Sequence, residues 1–214
     1  MKFFYRLCHL IFQPFFRIVY SHRVYGIENI CPGPAIIAPN HNSYYDPPLV
    51  GASWPGTEEI HYIARGSLFN QPVLKTIIRS LNAHPVRGSA NDVSTFKMVK
   101  QLLDEHKKVV IFPEGVRSWN GKMSPIKSGI AMLALRSKCP IIPVYLHGTY
   151  TIWNRQRLFP KLCGKTACVF GKPINVQPYE RMDKKDAQDA ITQVIQESID
   201  NLKLWYESGA KGKP

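Results

Sequence analysis

The cysteines of this chain lack the number and the spacing of two kinds of stabilised domain, those held by disulfides and those held by zinc. The 214 residues contain five cysteines, an odd number, and no C-x-x-C pair. The seven histidines include no H-E-x-x-H signature. Neither a disulfide framework nor a zinc site is therefore expected, and no metal or other cofactor is implied. We expect reduced thiols and a cytosolic compartment.

Long apolar runs are also missing. The longest uncharged run, Leu7–Phe16, is far shorter than the roughly 20 residues that cross a bilayer, and Pro14 interrupts it. No small-residue cleavage site follows, so a signal peptide is not expected. The polar positions recur at helical spacing instead: Lys2, Arg6, His9, Gln13 and Arg17. This stripe opposite an aromatic face predicts that residues 1–22 form an amphipathic membrane-interface helix, and the alternative is a helix packed on its own domain.

Several catalytic and nucleotide-binding signatures do not occur. The chain has no G-x-S-x-G, which disfavours a serine hydrolase. It has neither G-x-x-x-x-G-K-[ST] nor G-x-G-x-x-G, so the common nucleotide-binding loops are excluded. No recognisable nucleic-acid-binding module appears either.

Acidic residues are few relative to basic ones. Lys and Arg number 28 against 15 Asp and Glu, which gives a formal net charge of +13. Such a surplus predicts an anionic partner, whether nucleic acid, anionic lipid, a phosphorylated substrate or an acidic protein, without choosing among them. With 44% hydrophobic residues the chain can still bury a sizeable core, as one domain with or without an appendage.

The apolar pattern alternates between short continuous runs and helical spacing. Strands are predicted at residues 24–26, 35–38, 60–64, 83–86, 109–112, 141–146 and 167–170. Helices are predicted at residues 47–53, 71–80, 92–105, 126–136 and 183–206, with Ser89 or Asn91 as a cap for the third. This alternation predicts an α/β fold with a mostly parallel central sheet flanked by helices. We expect a main domain over residues 23–208 and a frayed tail over residues 209–214.

His41 and Asp46 stand in the loop that follows the predicted strand at residues 35–38. Asp46 followed by Pro47 is a helix-start signal, with Asp46 as N-cap. A carboxylate that accepts from one imidazole nitrogen fixes the tautomer and leaves the other nitrogen free as a base. From spacing alone the alternative stays open that Asp46 only caps its helix and His41 is an ordinary loop histidine.

Basic residues follow other predicted strands, where ligand sites of open α/β sheets gather. Three arginines come just past strand ends: Arg65, Arg87 and Arg117. In the turn at residues 113–118, Gly115 allows close backbone approach, and Glu114 could orient the arginine or accept from a substrate hydroxyl. Each arginine alone also fits a solvated surface position. Together with His41 they predict a basic pocket with one general base, acting on a phosphorylated substrate.

Four blocks in order resemble the glycerolipid acyltransferase family, in particular the 1-acylglycerol-3-phosphate acyltransferases. Asn40–Asp46 resembles the N-H-x-x-x-x-D block, and Phe112–Ser118 resembles F-P-E-G-T-R-S. Residues 65–69 through 85–87 resemble the block with phosphate-binding basic residues, and residues 140–144 resemble the proline-flanked fourth block. The resemblance covers about residues 23–175. Three departures stand out: Val116 replaces the usual Thr, Arg65 stands where Lys is common, and Asn82 stands where Gly is usual.

The resemblance implies transfer of a fatty acyl group from acyl-CoA or acyl-acyl carrier protein to the 2-hydroxyl of 1-acylglycerol 3-phosphate (lysophosphatidic acid), making phosphatidic acid. The implied roles are a general base at His41, its orienting partner at Asp46, phosphate ligands at Arg87, Arg117 and Arg65, and pocket-shaping residues at Glu114 and Gly115. Residues 23–208 would be the acyltransferase domain, with no nucleic-acid partner. With the amphipathic helix, this predicts a peripheral or monotopic protein on the cytoplasmic face of an anionic membrane.

Two alternatives stay open at this point. A same-family acyltransferase could use glycerol 3-phosphate or another lysolipid as its acceptor. A protein of another class, a non-catalytic basic membrane- or nucleic-acid-binding protein, would also fit the charge.

Overall fold

A mixed seven-stranded sheet runs through the part of the chain that the computed structural model describes, which is residues 3–55, 58–86 and 93–214. Its strands are β1 (Arg23–Tyr25), β2 (Ala35–Pro39), β3 (Ile60–Arg65), β4 (Ala83–Val86), β5 (Lys108–Val110), β6 (Ile141–His147) and β7 (Ala167–Phe170). Their order across the sheet is β1-β7-β6-β2-β5-β3-β4. Every neighbouring pair is parallel except β6 with β7. The predicted mostly parallel sheet is confirmed.

Helices flank this sheet, which confirms the α/β fold. They are α1 (Phe3–Val19), α2 (Asp46–Ser53), α3 (Pro72–Ser80), α4 (Val93–Asp104), α5 (Gly129–Ser137), α6 (Thr149–Trp153) and α7 (Lys184–Glu207). The short α6 was not predicted, because one turn of helix carries no readable apolar period. The predicted caps Ser89 and Asn91 lie outside the described residues.

The central strand β2 is buried on both faces of the sheet. Ile36 and Ala38 lie in an apolar cluster with residues of α4, α5 and α7. Ala35 and Ile37 lie in a second cluster with residues of α1 and α2. A parallel strand covered on both sides needs a continuous apolar run, and this is what residues 35–38 provide. The end of β2, where the His41 loop begins, is therefore rigidly held.

Helix α1 has three distinct faces. One packs on the domain beside α2, where Tyr5 and Phe16 are buried and the Tyr5 hydroxyl accepts from the Ile60 amide at 3.2 Å. A second face leaves large apolar side chains exposed: Phe3, Phe4, Leu7, Leu10, Ile11, Phe15 and Ile18. The third carries the polar positions Arg6, His9, Gln13 and Arg17, while Lys2 lies outside the described residues. The face with Tyr5 and Phe16 therefore packs on the domain, and membrane contact of the exposed apolar face stays a prediction. None of the described helices is both long and apolar enough to span a bilayer.

The C-terminal helix α7 has signals at both ends. Asp183 accepts from the Lys185 amide at 2.9 Å and caps the first turn. Gly209, with φ of 104°, follows the last turn, as expected for a helix-ending glycine. The tail over residues 209–214, predicted to fray, includes a hydrogen bond from Trp205 Nε1 to the Lys211 carbonyl at 2.9 Å.

Candidate active site

The site loop begins at Asn40, whose side chain ties the end of β2 to β6. Its Oδ1 accepts from the Leu146 amide at 2.7 Å, and its Nδ2 donates to the Leu146 carbonyl at 3.2 Å. Its own backbone amide donates to the Val144 carbonyl at 3.3 Å. The side-chain amide thus extends the hydrogen bonding between β2 and β6 by one residue and fixes the start of the loop that carries His41. Asn40 is part of the predicted motif but had no predicted role of its own.

His41 and Asp46 are in direct contact in this loop. His41 Nδ1 lies 2.8 Å from Asp46 Oδ2. Because an ionised carboxylate can only accept, Nδ1 of the neutral ring carries the proton and Nε2 carries the lone pair. Phe112 stacks on the imidazole, with ring centroids 3.9 Å apart and planes 24° apart. The contact and the stacking fix both the tautomer and the plane of the ring.

Asp46 holds the loop rather than capping the helix, so the predicted N-cap is wrong. The helix already includes Asp46, Tyr45 occupies the cap position, and no side chain caps it. Asp46 Oδ2 instead accepts from the backbone amides of Asn42 at 2.6 Å and Ser43 at 2.7 Å. The local reason is that the first helical N–H after Pro47 and Pro48, that of Leu49, donates to the Tyr45 carbonyl at 2.9 Å, while the Asp46 carboxylate faces back into the loop.

The Asp46 carboxylate is fully buried, and three donors converge on one of its oxygens. The two backbone amides and His41 Nδ1 supply the hydrogen bonds that a buried carboxylate needs in place of water. A buried negative charge beside Nδ1 in turn stabilises the imidazolium that forms when Nε2 takes up a proton. The arrangement leaves His41 Nε2 with a lone pair that can act as a base.

Glu114 connects the turn after β5 to the His41 loop. Its Oε1 accepts from the His41 amide at 2.6 Å and its Oε2 accepts from the Ser124 amide at 2.7 Å. The side chain is almost fully buried, and burial raises the pKa of its carboxyl, while the two amide bonds act in the opposite direction. Both oxygens serve the backbone, so Glu114 positions His41 and is not aimed at Arg117.

Gly115 makes room for a lysine. It has φ of 73°, which favours glycine, and a Cβ there would lie 2.8 Å from Lys127 Nζ and 3.1 Å from its Cε. The Lys127 backbone amide also donates to the Pro113 carbonyl at 3.0 Å. The side chain of Lys127 therefore lies across the turn that carries Glu114. Lys127 was not among the predicted site residues, although a lysine beside a glycine turn adds positive charge to it.

Arg117 lies on the face of Tyr44, a residue of the His41 loop. Its guanidinium carbon is 3.5 Å from the ring centroid, a cation–π contact. Its buried Nη1 has no hydrogen-bond partner among the described residues. Ser118 binds the two loops together, because its amide donates to the His41 carbonyl at 2.8 Å. Arg117 is thus a positive charge held against the His41 loop, and its Nη1 can donate to a ligand.

A second arginine supports the first. Arg155 Nη1 donates to the Arg117 carbonyl at 3.2 Å, and its guanidinium carbon lies 3.5 Å from the centroid of the Trp119 ring. No sequence signal pointed to Arg155, because it comes from the segment after α6, far along the chain. It adds a further positive charge near Arg117.

The other two predicted arginines have different outcomes. Arg65 lines a cavity with residues of η2 (Gly66–Asn70), α3 and β4, and none of the cavity's lining residues belongs to the His41 loop. Arg87 lies outside the described residues. Among the residues described, no group of three or more His, Cys, Asp or Glu side chains is arranged to hold a metal ion. The described site is therefore a histidine–carboxylate pair with arginine and lysine charge around it.

Comparison with known proteins places this site in a family. The sequence model of the Acyltransferase family matches residues 21–147, which contain every predicted site residue. The 1-acyl-sn-glycerol-3-phosphate acyltransferase of Bacillus subtilis is 28% identical over 184 residues, covering 84% of this chain and 87% of that protein. That of Saccharomyces cerevisiae is 26% identical, covering 85% of this chain but 59% of the yeast protein.

The fold has a solved counterpart. The structure of the 1-acyl-sn-glycerophosphate (LPA) acyltransferase PlsC from Thermotoga maritima matches with a TM-score of 0.76, covering 93% of this chain and 79% of that one. Its sequence is 24% identical, so this likeness concerns the fold alone. The family match extends over more than half of this chain and includes the loops that hold His41 and Arg117. The chain belongs to the Acyltransferase family and is an acyltransferase.

Proposed function

We propose that this enzyme transfers a fatty acyl group from an acyl-CoA or acyl-acyl carrier protein thioester to the 2-hydroxyl of 1-acylglycerol 3-phosphate, making phosphatidic acid. The observation that supports this proposal is that a histidine suited to act as a base lies near an arginine suited to bind a phosphate. His41 has its tautomer set by Asp46 at 2.8 Å, and Arg117 on the adjoining turn has a guanidinium nitrogen with no partner among the described residues. Relatives in Bacillus subtilis and Saccharomyces cerevisiae are named for this activity.

In this mechanism His41 Nε2 removes the proton from the acceptor hydroxyl. The oxygen attacks the thioester carbonyl carbon, a tetrahedral intermediate forms, and it collapses with release of the thiolate. The thiolate takes the proton back from His41, so the products are phosphatidic acid and a free thiol, and the enzyme is regenerated. Asp46 stabilises the transient imidazolium. A positioned base contributes roughly 10²- to 10⁴-fold to such a reaction.

The acceptor phosphate needs a cation close to His41. In 1-acylglycerol 3-phosphate only the C2–C3 bond and one ester linkage separate the reacting hydroxyl from the phosphate. Arg117 meets this requirement, because Ser118 joins its turn to the His41 carbonyl and Tyr44 of the His41 loop stacks on it. Arg87 stays part of the proposal as a second phosphate ligand. Glu114 and Gly115 shape the pocket through the contacts of their turn.

Acyl-transfer assays test this proposal. The purified enzyme is given one acyl-CoA with three acceptors in turn: lysophosphatidic acid, glycerol 3-phosphate and lysophosphatidylcholine. We expect phosphatidic acid from the first acceptor at a rate well above the other two, and a raised KM for it in Arg117→Ala. Preference for glycerol 3-phosphate or for the choline lipid would favour the alternative acceptors. An unchanged KM in Arg117→Ala would remove this residue from the pocket.

We also propose that the exposed face of α1 rests in the interface of an anionic membrane, which would make the protein peripheral or monotopic on the cytoplasmic face. Phe3, Leu10 and Ile18 are 83%, 68% and 79% exposed on it. Because Tyr5 and Phe16 of the same helix are buried, deleting the helix would damage the core. Leu10→Glu with Ile18→Glu is the sharper test, and Leu204→Glu on α7 is a control, since Leu204 is 63% exposed.

Co-sedimentation with vesicles that contain phosphatidylglycerol measures the effect. The double variant in α1 should leave the vesicles while Leu204→Glu stays bound. Undiminished binding of the double variant would remove α1 from the membrane contact.

A further inference from the structure

The loop at residues 158–162, between α6 and β7, carries three large apolar side chains that face solvent. Leu158, Phe159 and Leu162 are 81%, 74% and 85% exposed. A single exposed leucine is ordinary on a protein surface, but several within one short loop form an apolar patch of the kind that marks an interaction surface. The acyl-transfer chemistry of the candidate active site does not use these side chains, so the patch needs a separate explanation.

The backbone of the 158–162 loop is hydrogen-bonded on both sides of its tip. The Lys161 amide donates to the Ile152 carbonyl at 3.0 Å, and the Lys161 carbonyl accepts from the Tyr20 hydroxyl at 2.8 Å. On the other side, Trp153 Nε1 donates to the Arg157 carbonyl at 3.2 Å. The apolar tip between these two points is therefore presented in a fixed position, and a preorganised segment loses little conformational entropy when it binds.

The chain around this loop carries charge of one sign. No Asp or Glu occurs between Glu114 and Glu180, so every residue of that stretch that is charged at neutral pH is Lys or Arg. Four of these cations flank or lie in the loop: Arg155, Arg157, Lys161 and Lys165. Apolar side chains among cations are typical of segments that enter an anionic bilayer surface. A second copy of the loop would bring the same positive charge, which disfavours pairing of two loops.

The loop also adjoins the C-terminal end of α1. Tyr20, which follows this helix, binds the loop through its hydroxyl and accepts from the Thr166 amide through its carbonyl at 3.0 Å. The Tyr20 ring lies 5.9 Å from the ring of Phe15, a half-exposed residue of α1. The first acidic residue of the chain is Glu28, so this end of the molecule also lacks negative charge in sequence. Two apolar, cationic segments that are far apart in the chain therefore meet here.

The residues that lead into the loop contact both halves of the candidate active site. The Trp153 carbonyl accepts from Ser43 Oγ at 2.7 Å and from the Tyr44 amide at 3.3 Å, and both donors belong to the His41 loop. Arg155 Nη1 donates to the Arg117 carbonyl at 3.2 Å. A surface that holds the 158–162 loop would therefore also hold the active site at a fixed distance.

We propose that the 158–162 loop inserts its apolar side chains into the surface of an anionic bilayer and places the active site against it. This contact is additional to the one proposed for α1, and its occurrence does not depend on which acceptor the enzyme uses. Its benefit for catalysis rests on the proposed function. Withdrawing the acyl chain of 1-acylglycerol 3-phosphate into water is unfavourable for every CH₂ group, and an active site at the lipid surface avoids that step.

Vesicle binding by a matched pair of double variants tests the insertion. The loop variant is Leu158→Ser with Leu162→Ser. The control is Val93→Ser with Leu204→Ser, two positions of α4 and α7 that are 66% and 63% exposed. Co-sedimentation with vesicles of phosphatidylglycerol and phosphatidylcholine gives the partition coefficient. It should fall at least about tenfold in the loop variant, which is about 1.4 kcal/mol and less than the complete burial of one leucine supplies. The control should bind as the parent enzyme does, and both variants should keep its melting temperature.

An environment-sensitive fluorophore on Cys163 reports the insertion directly. Cys163 follows the loop and its side chain is exposed. The two half-buried cysteines are first replaced, Cys8→Ser and Cys31→Ser. For comparison the fluorophore is attached on α7, through Leu204→Cys in a chain that also has Cys163→Ser. Anionic vesicles should move the emission to shorter wavelength for the label at Cys163 and leave the label on α7 unchanged.

Three results would overturn the proposal. One is a partition coefficient that is the same in the loop variant, the control and the parent enzyme. Another is an unshifted emission from Cys163 while the labelled protein sediments with the vesicles. The third is an emission shift that appears without vesicles and grows with protein concentration, which would assign the loop to contact with a second copy of the chain.

Activity measurements separate this proposal from the proposed function. The loop variant should make phosphatidic acid more slowly from long-chain lysophosphatidic acid held in vesicles, and at the parent rate from a short-chain form dissolved in water. Equal losses with both acceptors would contradict the role of the loop in placing the site. If the parent enzyme acylated neither acceptor, the proposed function would fail, while co-sedimentation and the fluorophore on Cys163 would still decide whether the loop inserts.

Discussion

The Asp46→Asn substitution removes one charge and little else from the candidate active site. The carboxamide oxygen can still accept from His41 Nδ1 and from the amides of Asn42 and Ser43, which Asp46 Oδ2 now does at 2.8, 2.6 and 2.7 Å. The amide nitrogen takes the place of Oδ1, which has no partner among the described residues. The loop should therefore keep its shape, and only the stabilisation of the imidazolium is lost.

The size of that loss follows from Coulomb's law. Two unit charges about 4 Å apart at an effective dielectric constant of 20 attract by roughly 4 kcal/mol. At 1.36 kcal/mol for each factor of ten, kcat should fall about 10³-fold. The melting temperature should change little, because the hydrogen bonds persist. Acyl-CoA turnover with a thiol reagent gives kcat, and calorimetry gives the melting temperature.

The matched control is Asp104→Asn, which also removes one carboxylate. Asp104 pairs with Lys100 on the surface of α4, with its side chain 54% exposed, so its loss should leave kcat unchanged. If Asp46→Asn kept kcat within about threefold of the parent enzyme, the reasoning about charge would be refuted. A large loss of stability would refute the reasoning about shape.

Three further predictions concern the surroundings of the site. Glu114→Ala should lower the free energy of unfolding by about 2–5 kcal/mol and lower kcat, because the amides of His41 and Ser124 lose their buried acceptor. Chemical denaturation measures the free energy of unfolding, and a value equal to that of the parent enzyme would contradict this prediction. Gly115→Ala should lower the free energy of unfolding by about 1–2 kcal/mol because of the positive φ of this residue. Adding Lys127→Ala should remove the clash between the new Cβ and the lysine side chain but not the loss due to φ, and a double-variant cycle separates the two contributions. Burial lowers the pKa of His22 from 6.5 to about 4 in the folded protein. Between pH 4 and pH 6.5 the unfolded protein therefore binds more protons at this residue than the folded protein does. Stability should therefore fall by about 3 kcal/mol as pH drops from 6.5 to 4, at 1.36 kcal/mol per pKa unit, and a pH series that shows the same fall in His22→Gln would contradict this.

The elements that the sequence predicts best are those with a strong apolar signal. β2 is buried on both faces and reads as a continuous run, and its helix neighbours carry a clear period. β5 is different: the run reaches Phe112, but the strand ends at Val110. Phe112 is apolar because it stacks on His41, a use that the pattern of hydrophobicity cannot distinguish from a strand.

The site was harder to predict because its contacts cross the sheet. Three arginines past three strand ends suggest one pocket, but strand order is not written in any local pattern. The insertion of β5 between β2 and β3 is what separates Arg65 from His41. Asp46 is a further case, because Asp before Pro is a valid helix-start signal, and only the structure shows that Asp46 binds the loop amides while the Leu49 amide donates to the Tyr45 carbonyl.

The face of α1 is an intermediate case. Helical spacing predicted a polar stripe and an apolar remainder, and the structure has a helix there, α1, with both buried and exposed apolar side chains. Which part of the apolar remainder is buried depends on Ile60 and α2, which lie far along the chain. Packing on the domain is therefore observed for one apolar face, and membrane contact of the exposed apolar face stays a prediction.

The most direct measurement is single-turnover acyl transfer from acyl-CoA to lysophosphatidic acid by the parent enzyme and by His41→Ala, with the fold of each checked by circular dichroism. The proposed mechanism predicts phosphatidic acid from the parent enzyme and a rate lower by roughly 10²- to 10⁴-fold in the folded variant. A folded His41→Ala enzyme that makes phosphatidic acid at the parent rate would contradict it.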